Sequence, residues 1–143
     1  AMNVVPIVNE NDTVAVEEIR VGDNDNLSAL VAGLMDADLL VNLTTTDGFY
    51  IPQGDGTLQL VHTVHGLTEE HRLAAKLPKT GLGVGGMRTK LEAAEHCMKI
   101  GIPMVIASGK TPGVLARVVA GEKIGTRFVS RDVKQKGRKR RAT

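Results

Sequence analysis

Aromatic residues are almost missing from this chain: two Phe, one Tyr and no Trp among 143 residues. A stacking platform for single-stranded nucleic acid needs more rings than Phe49, Tyr50 and Phe128 supply. The core must instead be assembled from Val, Leu, Ile, Ala and Met. Cysteine is equally scarce. One residue, Cys97, excludes an internal disulfide, no Cys/His spacing matches a zinc site, and a small buried hydrophobe is the expected role of Cys97. No apolar run reaches the length of a membrane span, and the first residues lack a signal-peptide layout. No membrane partner is therefore expected, and a reducing, cytoplasmic setting is the default.

What is present is the composition of a soluble globular domain, 42% hydrophobic and 24% charged, with enough residues for one core. The net charge of +2 is unevenly spread. Six cations fall between Lys134 and Arg141, and the chain before them is mildly acidic. Such a cluster suffices for nonspecific contact with phosphates, but no groove-reading motif or aromatic accompanies it. Residues 131–143 read as a solvated basic tail or linker, and nucleic acid is not expected as a partner.

The most informative stretch is Thr80–Lys90, Thr-Gly-Leu-Gly-Val-Gly-Gly-Met-Arg-Thr-Lys, where Gly81, Gly83, Gly85 and Gly86 precede a segment of helical spacing. Met87, Leu91, Ala94 and Met98 recur at steps of four, three and four and line one face. Glycines permit close approach to the backbone, and a helix opening behind them offers free N–H groups and a positive dipole end. That combination suits phosphate, and Lys90 could add a mobile charge for a transferring phosphoryl group. The pattern is neither a Walker-type loop nor a dinucleotide fingerprint, and a flexible connection before a surface helix is the ordinary alternative.

The rest of the chain alternates strand and helix. Val4–Val8 reads as a buried strand ending in Asn9-Glu10-Asn11-Asp12. A second polar cluster, Gly22-Asp23-Asn24-Asp25-Asn26, precedes Leu27, Leu30, Val31 and Leu34 at helical spacing. Asn24, Asp25 or Asn26 could cap that helix, yet two such clusters so close together could also form a polar pocket for a small ligand. Ala37–Thr46 reads as strand with a turn at Asp47-Gly48, and Leu58, Leu60 and His62 alternate as a short strand. Thr68 is placed to cap a modest helix containing His71. His62, His65 and His71 are too irregularly spaced for a metal site and read as solvated. Ile102–Ala107 is a further buried strand, followed by a helix through Val114, Leu115, Val118 and Val119 that Gly121 stops, and by a last short strand at Gly125–Val129. This alternation predicts an α/β sandwich around a largely parallel sheet, with ligands beyond the carboxyl ends of the strands.

Taken together, these segments resemble the glutamate 5-kinases of the amino acid kinase family. The matching stretches are Pro6–Val14, Gly22–Asp25 with Leu27–Ala32, Ala37–Leu40, Asp47–Tyr50, Gly85-Gly86-Met87 with Thr89-Lys90, and Pro112–Leu115, in the family's order from Pro6 to Phe128. The resemblance implies a three-layer α/β/α sandwich, with residues 1–130 forming the C-terminal, nucleotide-binding half of the kinase domain. It implies transfer of the γ-phosphoryl group of ATP, with Mg²⁺, to the side-chain carboxylate of L-glutamate, the first step toward proline. Homo-oligomeric assembly is expected with it.

By resemblance, Asp12 and Asn24 contact glutamate, Asp25 organises active-site lysines, and Lys90 assists transfer. Thr44 and Thr45 border the nucleotide, while Val84, Gly85, Gly86, Met87, Arg88, Thr89 and Lys90 hold its phosphates. A carboxylate nucleophile is already ionised at neutral pH, so charge neutralisation and positioning suffice without a general base. The chain departs from the family in three ways. The family's N-terminal half is missing, Thr45 and Val84 stand where many relatives carry an acid and a hydroxyl, and no RNA-modification-type domain follows. A nonenzymatic nucleotide-binding fragment, or a regulatory subunit needing a partner chain, is the competing expectation.

Overall fold

Short β-branched and leucine-rich runs alternate with amphipathic segments, and the chain folds accordingly. The computed structural model describes residues 24–77 and 86–131. Ten elements follow in order: α1 Asn24–Leu34, β1 Leu40–Thr44, β2 Tyr50–Pro52, β3 Leu58–Leu60, β4 Thr63–Val64, α2 Glu69–Ala74, α3 Gly86–Lys99, β5 Met104–Ser108, α4 Val114–Val119 and β6 Thr126–Phe128. The strand expected at Val4–Val8, the first polar cluster, the glycines before Gly86 and the basic tail lie outside the described residues.

The main sheet has the order β1-β5-β6-β4. β1 runs parallel to β5, with Leu40 beside Met104 and Thr44 beside Ser108, and β4 runs parallel to β6. β5 and β6 are antiparallel, pairing Met104 with Phe128. β2 and β3 form a separate antiparallel hairpin, closed where Gln53 N donates to the Thr57 carbonyl at 2.7 Å.

Side chains that alternate along β5 feed two cores. Met104 and Ile106 join Ala29 and Ala32 of α1 and Met87, Leu91 and Ala94 of α3 on one face. Val105 and Ala107 meet Val114 and Val118 of α4 on the other, with Val41 packed alongside. Helices on both faces of a mostly parallel sheet make the three-layer α/β/α sandwich.

The face of α3 anticipated from spacing is the buried one: Met87, Leu91, Ala94 and Met98 all point inward. α1 differs. Its buried residues are Asp25, Ala29 and Ala32, while Leu30 is exposed and Leu34 is 87% exposed. Small alanines let α1 lie close against α3, and the larger leucines are left outside that contact. In α4, likewise, Val114 and Val118 are inside and Leu115 and Val119 outside.

Two polar devices pin the periphery. Thr68 caps α2, its hydroxyl accepting from His71 N at 3.4 Å while His71 Nδ1 accepts from Thr68 N at 3.0 Å. His71 is therefore not a solvated histidine: it is half-buried, edge-on to Phe49 with ring centroids 5.9 Å apart. Fully buried Thr126 accepts from Phe49 N at 2.8 Å and donates to the Val61 carbonyl at 2.5 Å, which ties β6 to both sides of the hairpin.

Candidate functional site

α1 runs back along β1, and α3 along β5, so both helices start near the carboxyl ends of these two paired parallel strands. Asp25 lies in the first turn of α1; Thr89 and Lys90 lie at the first turn of α3. Lys90 Nζ donates to both Asp25 oxygens at 3.0 Å, and only 12% of either side chain is exposed. The Thr89 hydroxyl lies 2.8 Å from Asp25 Oδ2 and 3.0 Å from the Gly86 carbonyl. From β1, Asn42 Nδ2 donates to Asp25 Oδ1 at 2.7 Å.

Of the Asn24-Asp25-Asn26 cluster, Asp25 has a defined set of side-chain partners. All three residues lie inside α1, and the Asp25 carboxylate is directed to α3 and β1 rather than to capping its own helix. Burial is the largest single influence on Asp25 and pushes its carboxyl up. Hydrogen bonds from Asn42, Lys90 and Thr89, with the charge of Lys90, outweigh it and hold the pKa below the ordinary 3.8. The ionised form is the one this pocket accommodates.

The N-terminus of α3 has the opposite character. No acidic residue stands in its first turn, although that end of the dipole favours negative charge. Arg88 and Lys90 are there instead. Arg88 is exposed and pairs with Glu92 at 2.9 Å along the same helix. Gly86 is half-buried and Met87 belongs to the core, so Met87 can offer an incoming anion its backbone N–H but not its side chain.

Thr44 is half-buried at the carboxyl end of β1, its carbonyl accepting from Gly109 N at 2.9 Å, and Thr45 is exposed beside it. Buried Ser108, at the end of β5, accepts from Lys110 N at 3.2 Å. Asn24 is exposed at the start of α1. The structure thus brings Asp25, Thr89 and Lys90 into direct contact, with Gly86 in the same cluster through Thr89. Thr44 and Thr45 stand at the same end of the sheet. Asp12, Val84 and Gly85 lie outside the described residues.

Asn42 was not singled out by sequence reasoning. One amide in Leu-Val-Asn-Leu-Thr was the available signal, a polar residue interrupting an apolar strand. An open groove of about 360 Å³ between α1 and β1 is lined by Asn24, Leu27, Ser28, Val31, Leu39 and Leu40 among others, and by no charged group. It is separate from the Asp25–Lys90 cluster. Among the described residues no group of three His, Cys, Asp or Glu side chains could hold a metal ion, and no helix is long and apolar enough to cross a membrane.

Residues 1–108 match the model of the amino acid kinase family. The chain is 48% identical over 139 residues to a glutamate 5-kinase of Serratia marcescens, covering 96% of this chain and 38% of that protein. It is 51% identical over 130 residues to a glutamate 5-kinase of Shewanella oneidensis, covering 90% of this chain and 35% of that one. The chain thus spans well under half the length of these relatives. Among solved structures, a uridylate kinase of Archaeoglobus fulgidus superposes with a TM-score of 0.55 at 24% identity, over 73% of this chain and 46% of that chain. An N-acetylglutamate synthase of Neisseria gonorrhoeae does so with a TM-score of 0.53 at 26% identity, over 75% of this chain and 23% of that chain.

Proposed function

The chain belongs to the amino acid kinase family, and from that premise we propose that it forms the nucleotide-binding half of a glutamate 5-kinase. In this reading residues 1–130 supply one side of the active site and residues 131–143 a basic tail. The reaction is transfer of the γ-phosphoryl group of magnesium-bound ATP to the side-chain carboxylate of L-glutamate. One P–O bond to the ADP leaving oxygen breaks, one P–O bond to the carboxylate forms, and glutamyl 5-phosphate results. No proton need move, because the nucleophile is already an anion.

The observation that carries the proposal is the Asp25–Lys90 pair at two converging helix starts. Lys90, steadied by Asp25, offers its ammonium to the charge that spreads over the phosphoryl oxygens in the transition state. The N–H groups at the start of α3, on Gly86, Met87 and Arg88, would face the same anion, and Thr44 and Thr45 would flank the nucleotide. The reading assigns phosphate contacts to Val84 and Gly85 as well. Asp25 already accepts from Lys90, Asn42 and Thr89, so it is not the ligand of a magnesium ion. That ion enters on the nucleotide, as part of the substrate.

The glutamate side rests on Asp12 and Asn24. A carboxylate at Asp12 can pair with the substrate ammonium, and the Asn24 amide can bond a carboxylate without repulsion. The reading also takes the enzyme as a cytoplasmic homo-oligomer. Its test combines the chain with the N-terminal part that its longer relatives possess, supplies magnesium-ATP and L-glutamate, and traps the acyl phosphate with hydroxylamine. Glutamyl hydroxamate is expected, and Asp12→Ala and Asn24→Ala should raise the KM for glutamate far more than that for ATP. ATP binding with no acyl phosphate in the combined protein would leave a nucleotide-binding module instead.

A further inference from the structure

Asn42 is out of place by composition. It sits in the middle of β1, paired in register with fully buried Ile106, and Leu40 on the same face packs against the larger core. Nothing in strand propensity calls for an amide there. Its Nδ2 reaches Asp25 Oδ1 at 2.7 Å, the shortest of the side-chain contacts to that carboxylate.

A carboxylate offers about four lone-pair directions. At Asp25 they are taken by Asn42 and Lys90 on Oδ1 and by Thr89 and Lys90 on Oδ2. Lys90 alone, equidistant from both oxygens, leaves the carboxylate plane free to turn. The donors that break this symmetry are Asn42 from the sheet and Thr89 from α3. Thr89 moves with Lys90, since both belong to one helical turn. Asn42 is therefore the contact that references the pair to the sheet.

We infer that Asn42 is a positioning residue for phosphoryl transfer: by fixing the plane of the Asp25 carboxylate against β1, it sets where the Lys90 ammonium stands. The inference rests on the kinase reading for its catalytic consequence, but the coupling of Asn42 to Asp25 does not. A misplacement of the charge by about 1 Å is enough to slow transfer greatly without much effect on binding.

The test compares wild type with Asn42→Leu, which keeps the branching and the number of heavy atoms but has no amide, and Asn42→Gln, which keeps the amide. The Asp25 carboxyl is followed by carbon NMR in the full chain, and kcat and KM are measured in the complete enzyme. In Asn42→Leu, Asp25 should titrate at higher pH, and kcat should fall by about tenfold or more while the KM for ATP changes by less than about threefold. Asn42→Gln should recover part of both. If only the melting temperature moves, with the Asp25 titration and kcat unchanged, Asn42 merely satisfies a half-buried carboxylate and the inference is wrong. Should Asn42→Leu fail to fold, Asn42→Ser carries the same comparison. Absence of transfer in wild type would overturn the kinase reading, and the Asp25 titration would still decide the coupling.

Discussion

Lys90 Nζ stands 3.0 Å from each oxygen of Asp25, across 65 residues of chain. The contact joins the beginnings of two helices and is shielded on most sides. A charge pair in that setting is strongly asymmetric to mutation: deleting one partner strands the other in a poorly solvated place.

Lys90→Ala should therefore destabilise the fold by about 3 kcal/mol, the lower end of the range for a broken buried pair. Asp25→Asn in the same molecule removes the stranded charge. The double variant should be more stable than the sum of the single losses predicts, with a coupling of about 1–3 kcal/mol in urea denaturation. Strict additivity would mean that the pair contributes nothing as a pair.

Acid should expose the same group. The Asp25 carboxyl titrates below its ordinary value in the folded chain, so the unfolded chain binds more protons wherever the two differ. Its stabilising contribution is complete above the ordinary carboxylate range and is lost as pH falls through the folded pKa. The melting-temperature gap between wild type and Asp25→Asn should accordingly narrow from pH 6 toward pH 3. A gap that stays constant over that interval would sink this account.

Gly125 has φ +67°, and a Cβ built there would collide with the Ile106 carbonyl oxygen. That oxygen belongs to the central strand β5 and has no room to retreat. Gly125→Ala should cost about 3 kcal/mol or more, through strain at a left-handed position plus displacement of strand backbone. A loss below about 1 kcal/mol would show that the turn into β6 can relax.

How much of this was legible beforehand depends on how local the cause is. The buried face of α3 could be read because Met87, Leu91, Ala94 and Met98 are large or regularly spaced and follow a glycine run. The Thr68–His71 cap is closed within four residues, and its position was legible for that reason. The inner face of α1 was not, because Ala29 and Ala32 carry little hydrophobic signal and owe their burial to the approach of α3. Asn42 was missed on the same ground: its partner lies 17 residues away on another element. The reversal of β6 against β5 is likewise set by tertiary pairing, and short strands such as Thr126–Phe128 carry no sign of direction.

Cys97 offers a chemical probe of the core. It is fully buried on α3, and burial pushes its thiol up to about 11. A thiol reagent at pH 8 should react with native protein only on the timescale of unfolding, and at once in denaturant. Rapid reaction in the native state would contradict the packing of α3 on the sheet.

The reversed direction of β6 decides which way the chain leaves. Phe128 ends beside Met104, at the start of β5, whereas Thr44 and Ser108 mark the opposite end. Five residues of strand, roughly 13 Å, separate the two levels. Phe128 and the residues up to Arg131 therefore lie toward the rear of the sheet, away from the end where the proposed site stands. On the reading proposed above, a spectroscopic label placed near Arg131 should leave phosphoryl transfer in the complete enzyme unaffected.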